Sequence, residues 1–481
     1  MNLCIFAARK QQIHPMKKLF RISMLAFLAI FSAFAQAQET DEVKFENARQ
    51  AVENMRVGWN LGNTLDSNSG DTLHMWIESN KNRTASTYET AWGQKPTTPK
   101  LFKLFHDAGF NTIRIPVTWY PHMEATFSSV RGYDNKGTWS YTPWYPSKDD
   151  IGTKIQQAWM TRVKQIVDYV INQGMYCILN IHHDTGAANT AWLIADEAVY
   201  AQQRERFEAI WTQIAEVFKD YDEHLLFEGY NEMLDIKRSW CFASFASDKR
   251  YDAAMARSAY NAINSYAQSF VNAVRATGGN NSQRNLIVCT YGACDGSGNW
   301  NNHLLDPLKQ MKLPEDQTEG HLIFEVHCYP DITNLSSAKS SVNTTINNLK
   351  THLISKGAPL IFGEWGISNG GDNRQNFADF VKFFAQRCKA NNIGPVYWMG
   401  LSDGAHRLVP EFNDPDLVEA MMEGFYGEGG YVGIADMKES EPAQSSRSQE
   451  LNQHFYDFNG RPLARPHRGL IIHNGRKVLI H

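Results

Sequence analysis

Two glutamates, Glu232 and Glu364, each close a short apolar run directly ahead of a loop. The ends of the neighbouring apolar runs carry Arg114, His182, His183, Asn231, His327 and Tyr329, with Trp398 in the last run. Two carboxyl groups held at such ends suit paired acid–base work on a glycosidic bond. One must be protonated to release the leaving sugar oxygen, and the other must be ionised to attack or to activate water. Burial and unlike neighbours are what separate the pKa values of such a pair. The chain holds 51 acidic residues, so position has to discriminate among them. Glu228 and Glu325 lie inside their runs and read as interior groups paired within the fold. Asp66 and Asp184 fall in loops, where they could touch sugar.

The elements that would position these groups are eight strand-like runs. They are Val57–Leu65, Thr112–Trp119, Tyr176–His183, Leu225–Glu232, Asn285–Gly292, Leu322–Tyr329, Pro359–Trp365 and Pro395–Leu401. Most are near-continuous apolar and rich in β-branched residues, as strands covered on both faces are. Amphipathic stretches at 100–108, 154–172, 203–219, 253–276 and 377–390 separate them, and several end at glycine, among them Gly109, Gly174, Gly278 and Gly357. The alternation predicts an α/β fold, a (β/α)8 TIM barrel, whose active site lies at the C-terminal ends of the strands. An open doubly wound sheet usually begins with a glycine-rich phosphate turn, and none follows the first run.

The 481 residues divide further. Lys17, Lys18 and Arg21 precede an apolar run from Met24 to Ala35, followed by Ala35-Gln36-Ala37. That is the pattern of a cleaved secretory signal over 1–37, with Met16 a possible true start, and the apolar run is too short to span a bilayer. The barrel is expected over 38–426. A Gly-, Ser-, Glu- and Gln-rich linker covers 427–452, and a β-rich tail over 453–481 carries the turn signals Asn459-Gly460 and Asn474-Gly475. The signal contains five of the chain's 47 Lys and Arg and no acid; its removal leaves 42 bases against 51 acids, a net charge of −9. That sign disfavours nucleic acid as a partner. Six cysteines remain after the signal, without paired CxxC or CxxH spacing, so a structural zinc site is not expected, and buried free thiols are the plain reading for most.

The strings GWNLGNTLD (58–66), TIRIPVTW (112–119), LNIHHD (179–184), FEGYNE (227–232), VHCYPD (326–331), FGEWG (362–366) and YWMGLSDG (397–404) together resemble glycoside hydrolase family five. They run in order over nearly the whole barrel. The opening string, with AWGQ at 91–94, is similar to the endo-β-1,4-glucanase and xyloglucanase subfamily four. The resemblance implies a retaining double displacement on a β-glucan polysaccharide or oligosaccharide, without a cofactor or metal. In it Glu364 matches the nucleophile and Glu232 the general acid/base. Arg114 and Tyr329 match the groups that keep the nucleophile ionised and should lower its pKa. Asn231 matches the residue that bonds the sugar 2-hydroxyl, His182 and His327 the pair flanking the site, and Trp398 the platform beneath the cleaved sugar. Asn63 and His183 are further substrate-binding candidates. The tail string 460–481 resembles a C-terminal segment of exported Bacteroidetes proteins linked to sorting, with a stabilising β-appendage as the alternative. A monomer is the default for such an enzyme.

Other readings stay open. An endo-β-1,4-mannanase would share the same catalytic set, and a degenerate barrel could serve as a non-catalytic glycan-binding surface protein. Taken alone, Arg114 reads as a structural charge, and His327 and Tyr329 as satisfied core residues. His182-His183-Asp184 could suggest a metal, but adjacent strand residues face opposite ways and should not chelate together. The segment from Tyr120 to Tyr145 holds seven aromatics. They form either a satellite core or part of a glycan cleft, with Trp139 and Trp144 as the candidates for contact and Trp240 and Trp300 as further ones. Trp59 and Trp365 read as packing residues.

Overall fold

The computed structural model describes residues 44–70, 77, 84–125, 151–238, 251–298, 301–370 and 373–429, together with four short strands between 455 and 480. Eight parallel strands close into a barrel: β1 (Gly58–Asn60), β2 (Thr112–Ile115), β5 (Tyr176–Asn180), β6 (Leu225–Glu228), β7 (Leu286–Cys289), β8 (Leu322–Cys328), β9 (Leu360–Trp365) and β10 (Ile393–Tyr397). Their order around the ring is sequential, with β10 pairing back onto β1. All eight predicted strands are present, and most stop several residues earlier than the apolar runs. A parallel strand ends where its ladder of hydrogen bonds ends, whereas the runs continue into apolar residues that pack in the loops.

Between β2 and β5 the chain makes a small antiparallel pair, β3 (Met123–Ala125) with β4 (Ile151–Ile155). The helix after β8, Leu335–His352, was not among the predicted ones. Its Ser-, Asn- and Thr-rich sequence masks the apolar spacing, but Ala338, Val342, Ile346 and Leu349 are buried at intervals of three to four. The helices Glu197–Phe218 and Ala253–Ala276 begin at Asp196 and Asp252, whose side chains accept two backbone N–H groups each. Among the described residues, no helix is long and apolar enough to cross a membrane.

The inside of the barrel has two layers. At the bottom Tyr176, Ile178, Leu226, Ile287, Ile323 and Ile361 form an apolar plug, closed from below by Ala48, Val52 and Met55 of the helix Ala48–Met55. Two residues further along the same strand faces, the side chains turn polar: Asn180, Glu228, Cys289 and Glu325. All four are fully buried above the apolar plug, which raises the cost of any charge left unpaired there.

Strand β9 departs from regular pairing at one place. Val326 faces Phe362, but the next residue, His327, faces Glu364, so Gly363 is extra. The same slip shows against β10. This bulge turns Glu364 toward the barrel mouth. It also needs glycine, because a Cβ on Gly363 would stand 1.4 Å from Glu325 Oε1.

The tail strands β11 (Phe455–Tyr456), β12 (Pro462–Leu463), β13 (Gly469–His473) and β14 (Arg476–Ile480) form an antiparallel sheet of order β12-β11-β13-β14. His473 pairs with Arg476; the turn signals Asn474-Gly475 and Asn459-Gly460 themselves lie outside the described residues.

Replacing Gly363 by Ala forces a methyl group into the Glu325 carboxyl. Destabilisation of about 1–3 kcal/mol or more is expected, read as a lower denaturation midpoint, with activity falling alongside. An unchanged midpoint would contradict the close approach.

Candidate active site

Arg114 projects from β2 into the centre of the polar layer and is fully buried. Its five N–H groups are all engaged. Nε donates to Glu228 Oε2 (2.6 Å) and Nη2 to Glu228 Oε1 (2.7 Å), a bidentate pair. Nη2 also donates to Asn231 Oδ1 (2.8 Å), and Nη1 to Asn60 Oδ1 (2.9 Å) and Glu364 Oε1 (2.8 Å). The other oxygen of Glu364, Oε2, accepts the Tyr329 hydroxyl at 2.7 Å. Glu364 is therefore held at both oxygens by donors that favour its ionised form.

Glu232 sits across from it. An oxygen of Glu232, a nitrogen of His327 and an oxygen of Glu364 all lie within 4.8 Å of one another. The Glu232 Oε1 atom is 2.7 Å from His327 Nδ1. The Glu232 side chain is 16% exposed, so the pair is open to the barrel mouth. This proximity fits the roughly 5–5.5 Å separation between carboxyl groups of a retaining pair.

The site differs from the sequence expectations in several details. Glu232 is not the last residue of its strand: β6 ends at Glu228, and Gly229-Tyr230-Asn231 lead to it. Asn231 N–H donates to Ile181 O, which pins this extension to its neighbour. Glu364 is the penultimate residue of β9, placed by the bulge. Trp398 follows β10 rather than lying in it. Tyr329 likewise lies one residue past β8, yet its hydroxyl and the His327 ring reach the same site.

The expected lowering of the Glu364 pKa does not result. Arg114 and Tyr329 do pull it down, but burial is the larger effect, and the carboxyl is raised above its ordinary value. Glu232 is pushed well above its ordinary value, first by burial and then by the Glu364 charge, with Arg114 opposing. Glu364 has two strong donors where Glu232, among the described residues, has His327, an arrangement that favours Glu232 as the carrier of a proton shared by the pair. Two like charges within 4.8 Å of each other would repel by roughly 3–4 kcal/mol at an effective dielectric constant near 20.

His182 and His183 depart from the prediction of opposite faces. Strand β5 stops at Asn180, so both lie in the turn beyond it, where alternation no longer holds. Their rings meet edge to face at 4.5 Å, and a nitrogen of each comes within 4.8 Å of an Asp66 oxygen. Asn180 Nδ2 donates to Glu228 Oε1 (2.9 Å) and lies 3.1 Å from His182 Nδ1, which must then accept. That leaves the His182 N–H on Nε2, which faces Glu364 Oε1 at 3.9 Å.

Asp66 and Asp184, read as possible sugar contacts, are instead fully buried scaffold groups. Asp66 accepts the Asn63 and Thr64 N–H groups. Asp184 accepts the N–H groups of Trp119 and Tyr120 and the Trp192 indole, tying the loop after β5 to itself and to the loop after β2. Burial raises the pKa of each to about 6. The Asp66 bonds hold Asn63 in a left-handed conformation (φ 55°) at the barrel mouth, half-buried.

His183 is 31% exposed at its side chain and lies beside the Trp92 ring. The Trp398 ring runs parallel to His182, 5.6 Å between centroids. Trp59 and Trp365 are packing residues, stacked on Phe105 and Phe384. Trp139, Trp144, Trp240 and Trp300 lie outside the described residues. Cysteines 177, 289, 294, 328 and 388 are free and buried, as the plain reading has it.

Two supporting residues escaped the sequence reading. Asn60 accepts from Arg114, and its Nδ2 donates to the carbonyl of the bulge residue Gly363 (2.9 Å). Asn180 orients His182 and braces Glu228. Each is an amide that ends its strand; Asn180 lies two residues beyond the inward-facing Ile178, and that spacing was the available signal.

Residues 76–403 match the cellulase family, glycosyl hydrolase family 5. Endoglucanase B of Neocallimastix patriciarum is 34% identical over 389 residues, which cover 78% of this chain and 69% of the relative. A broad-specificity GH5-4 endoglucanase from an uncultured bacterium shares the structure with a TM-score of 0.71 at 46% identity, over 82% of this chain and 99% of that one. A family 5 glycoside hydrolase from Prevotella bryantii, solved as a mutant with a xyloglucan tetradecasaccharide, gives 0.64 at 38% identity, over 79% and 99%. The barrel, the paired carboxyls and these likenesses agree: the chain belongs to glycosyl hydrolase family 5 and is a glycoside hydrolase of the endoglucanase type.

Proposed function

We propose that this chain is a secreted, retaining endo-β-1,4-glucanase that accepts branched as well as linear β-glucans. The observation that carries the mechanism is the unequal anchoring of two facing carboxyls. Glu364, gripped at both oxygens by Arg114 and Tyr329, is the nucleophile. Glu232, with its raised pKa and open side, is the general acid and later the base.

In the first step Glu364 Oε attacks the anomeric carbon while Glu232 gives its proton to the leaving glycosidic oxygen, and the C–O bond to the leaving sugar breaks. In the second step Glu232, now ionised, takes a proton from water, which attacks the same carbon and releases Glu364. Asn231 spends its carbonyl oxygen on Arg114, which leaves its NH2 group free to donate to a sugar 2-hydroxyl. Trp398, half-buried beside His182, is the stacking platform. Asn63 and His183, at the mouth, are the outer substrate contacts.

The GH5-4 likeness and the xyloglucan complex of the Prevotella bryantii enzyme support a wide substrate range. The basic segment, the apolar run and Ala35-Gln36-Ala37 support export. A panel of carboxymethylcellulose, barley β-glucan, tamarind xyloglucan and galactomannan tests the range. Release of products from β-glucan and xyloglucan is expected, and cleavage of galactomannan alone would overturn the assignment.

Glu364→Ala should remove turnover by several orders of magnitude while the protein stays folded. Glu232→Ala should lose polysaccharide activity, regain turnover of a dinitrophenyl β-cellobioside when azide is added, and yield a β-glycosyl azide. An α-azide, or no rescue, would rule out this pair of roles.

The pH profile should be bell-shaped. Activity falls as rising pH removes the Glu232 proton and as falling pH protonates Glu364. Tyr329→Phe deletes a donor to ionised Glu364, raising its pKa further. The acid limb of kcat/KM should therefore move to higher pH. A shift to lower pH would contradict the role of that hydroxyl.

A further inference from the structure

Glu325 is fully buried one layer beneath the catalytic pair, and the mechanism above does not use it. Its surroundings are unfavourable to a charge. Arg114 Nε lies 3.5 Å from Glu325 Oε1, but its hydrogen is aimed at Glu228 Oε2, 2.6 Å away, and the other four guanidinium hydrogens are engaged elsewhere. Among the described residues, Glu325 Oε2 accepts only the weak Cys289 thiol donor at 3.2 Å. The remaining polar neighbour is His327, whose Nε2 stands 3.4 Å from Glu325 Oε1. One guanidinium thus faces Glu228, Glu325 and Glu364 together, and Glu228 and Glu364 take its directed bonds.

We propose that Glu325 is a positioning residue that stays protonated and donates from Oε1 to His327 Nε2, thereby fixing the His327 tautomer that faces Glu232. The claim rests on the assignment of Glu232 as general acid. Its logic is the two-ended character of neutral imidazole, which has one N–H and one lone pair. A protonated Glu325 occupies the lone pair at Nε2 and leaves the N–H on Nδ1. That N–H donates to Glu232 Oε1, 2.7 Å away, and the proton of Glu232 remains on its other oxygen, free for the leaving group.

An ionised Glu325 would do the reverse. It would draw the N–H to Nε2, turn the Nδ1 lone pair toward Glu232, and hold the acid's own proton in a bond to His327. Burial and the nearby Glu228 charge raise the Glu325 pKa well above its ordinary value, with Arg114 and Cys289 opposing. Burial also keeps His327 neutral, its pKa well below the ordinary one. Gly363 provides the space that this carboxyl occupies.

The test compares Glu325→Met, which preserves length without a donor, with Glu325→Gln, whose amide can still donate to Nε2. Glu325→Met should lower kcat on barley β-glucan about 10- to 100-fold with KM little changed. On a dinitrophenyl β-cellobioside, whose departure needs little acid help, the loss should be much smaller. Glu325→Gln should recover most of the loss and keep the wild-type pH profile. Equal losses on both substrates, or a Gln variant as impaired as Met with a displaced acid limb, would overturn the proposal.

Infrared spectra provide a reading independent of turnover and of the Met variant's folding. In a Glu232→Gln background, a protonated-carboxyl band should persist above neutral pH and vanish when Glu325→Gln is added. Its absence would equally overturn the proposal. Failure of the underlying Glu232 assignment would show separately, as polysaccharide activity surviving in Glu232→Ala.

Discussion

One buried guanidinium organises the site. Arg114 stands where the interior of the barrel changes from apolar to polar and spends all five of its hydrogens on Glu228, Asn60, Asn231 and Glu364. A buried cation must be compensated, and removing one partner of such an ion pair typically costs about 3–5 kcal/mol. Glu228 meets that requirement with a bidentate pair, so Glu364 need not carry the whole counter-charge. Glu364 can then hold one bond to Arg114 and keep its reactive face turned outward. The carboxyls outnumber the cation, and the nearby imidazoles His182 and His327 are held neutral by burial. The site must therefore retain protons, and the hydrogen-bond geometry decides which carboxyls keep them.

The backbone contributes a second constraint. A regular strand would alternate Gly363 and Glu364 across the sheet; the bulge in β9 brings both to the inner side. The first position must be empty to admit Glu325, and the second supplies the reactive carboxyl. Asn60 ties the bulge carbonyl to Arg114 and so couples the irregular backbone to the charge network. Displacing any one of these parts would disturb the other two.

Much of this was legible in the residues. The near-continuous apolar runs separated by amphipathic stretches identify a barrel, and polar residues at successive run ends mark its active face. The pairing of Glu228 inside the barrel follows from its place within a run. Other features could not be read. The apolar runs overshoot the strands, because leucine and isoleucine pack equally well in a ladder or in a buried loop; this is why Glu232 and His183 are displaced from their expected places. The scaffold roles of Asp66 and Asp184 depend on backbone N–H groups, which leave no trace in residue type. The net rise in the Glu364 pKa depends on how far burial outweighs two donors, a balance that only geometry can fix. The bulge at Gly363 is a register slip, and the FGEWG string is compatible with a regular strand as well.

The most direct test of the account is covalent trapping. Incubation with a 2-deoxy-2-fluoro-β-cellobioside bearing a good leaving group should leave a fluorocellobiosyl ester on the enzyme, and mass spectrometry of its peptides should place that ester on Glu364. An ester on another carboxylate, or an inverted product with no adduct formed, would contradict the assignment of Glu364 as nucleophile and Glu232 as its acid/base partner.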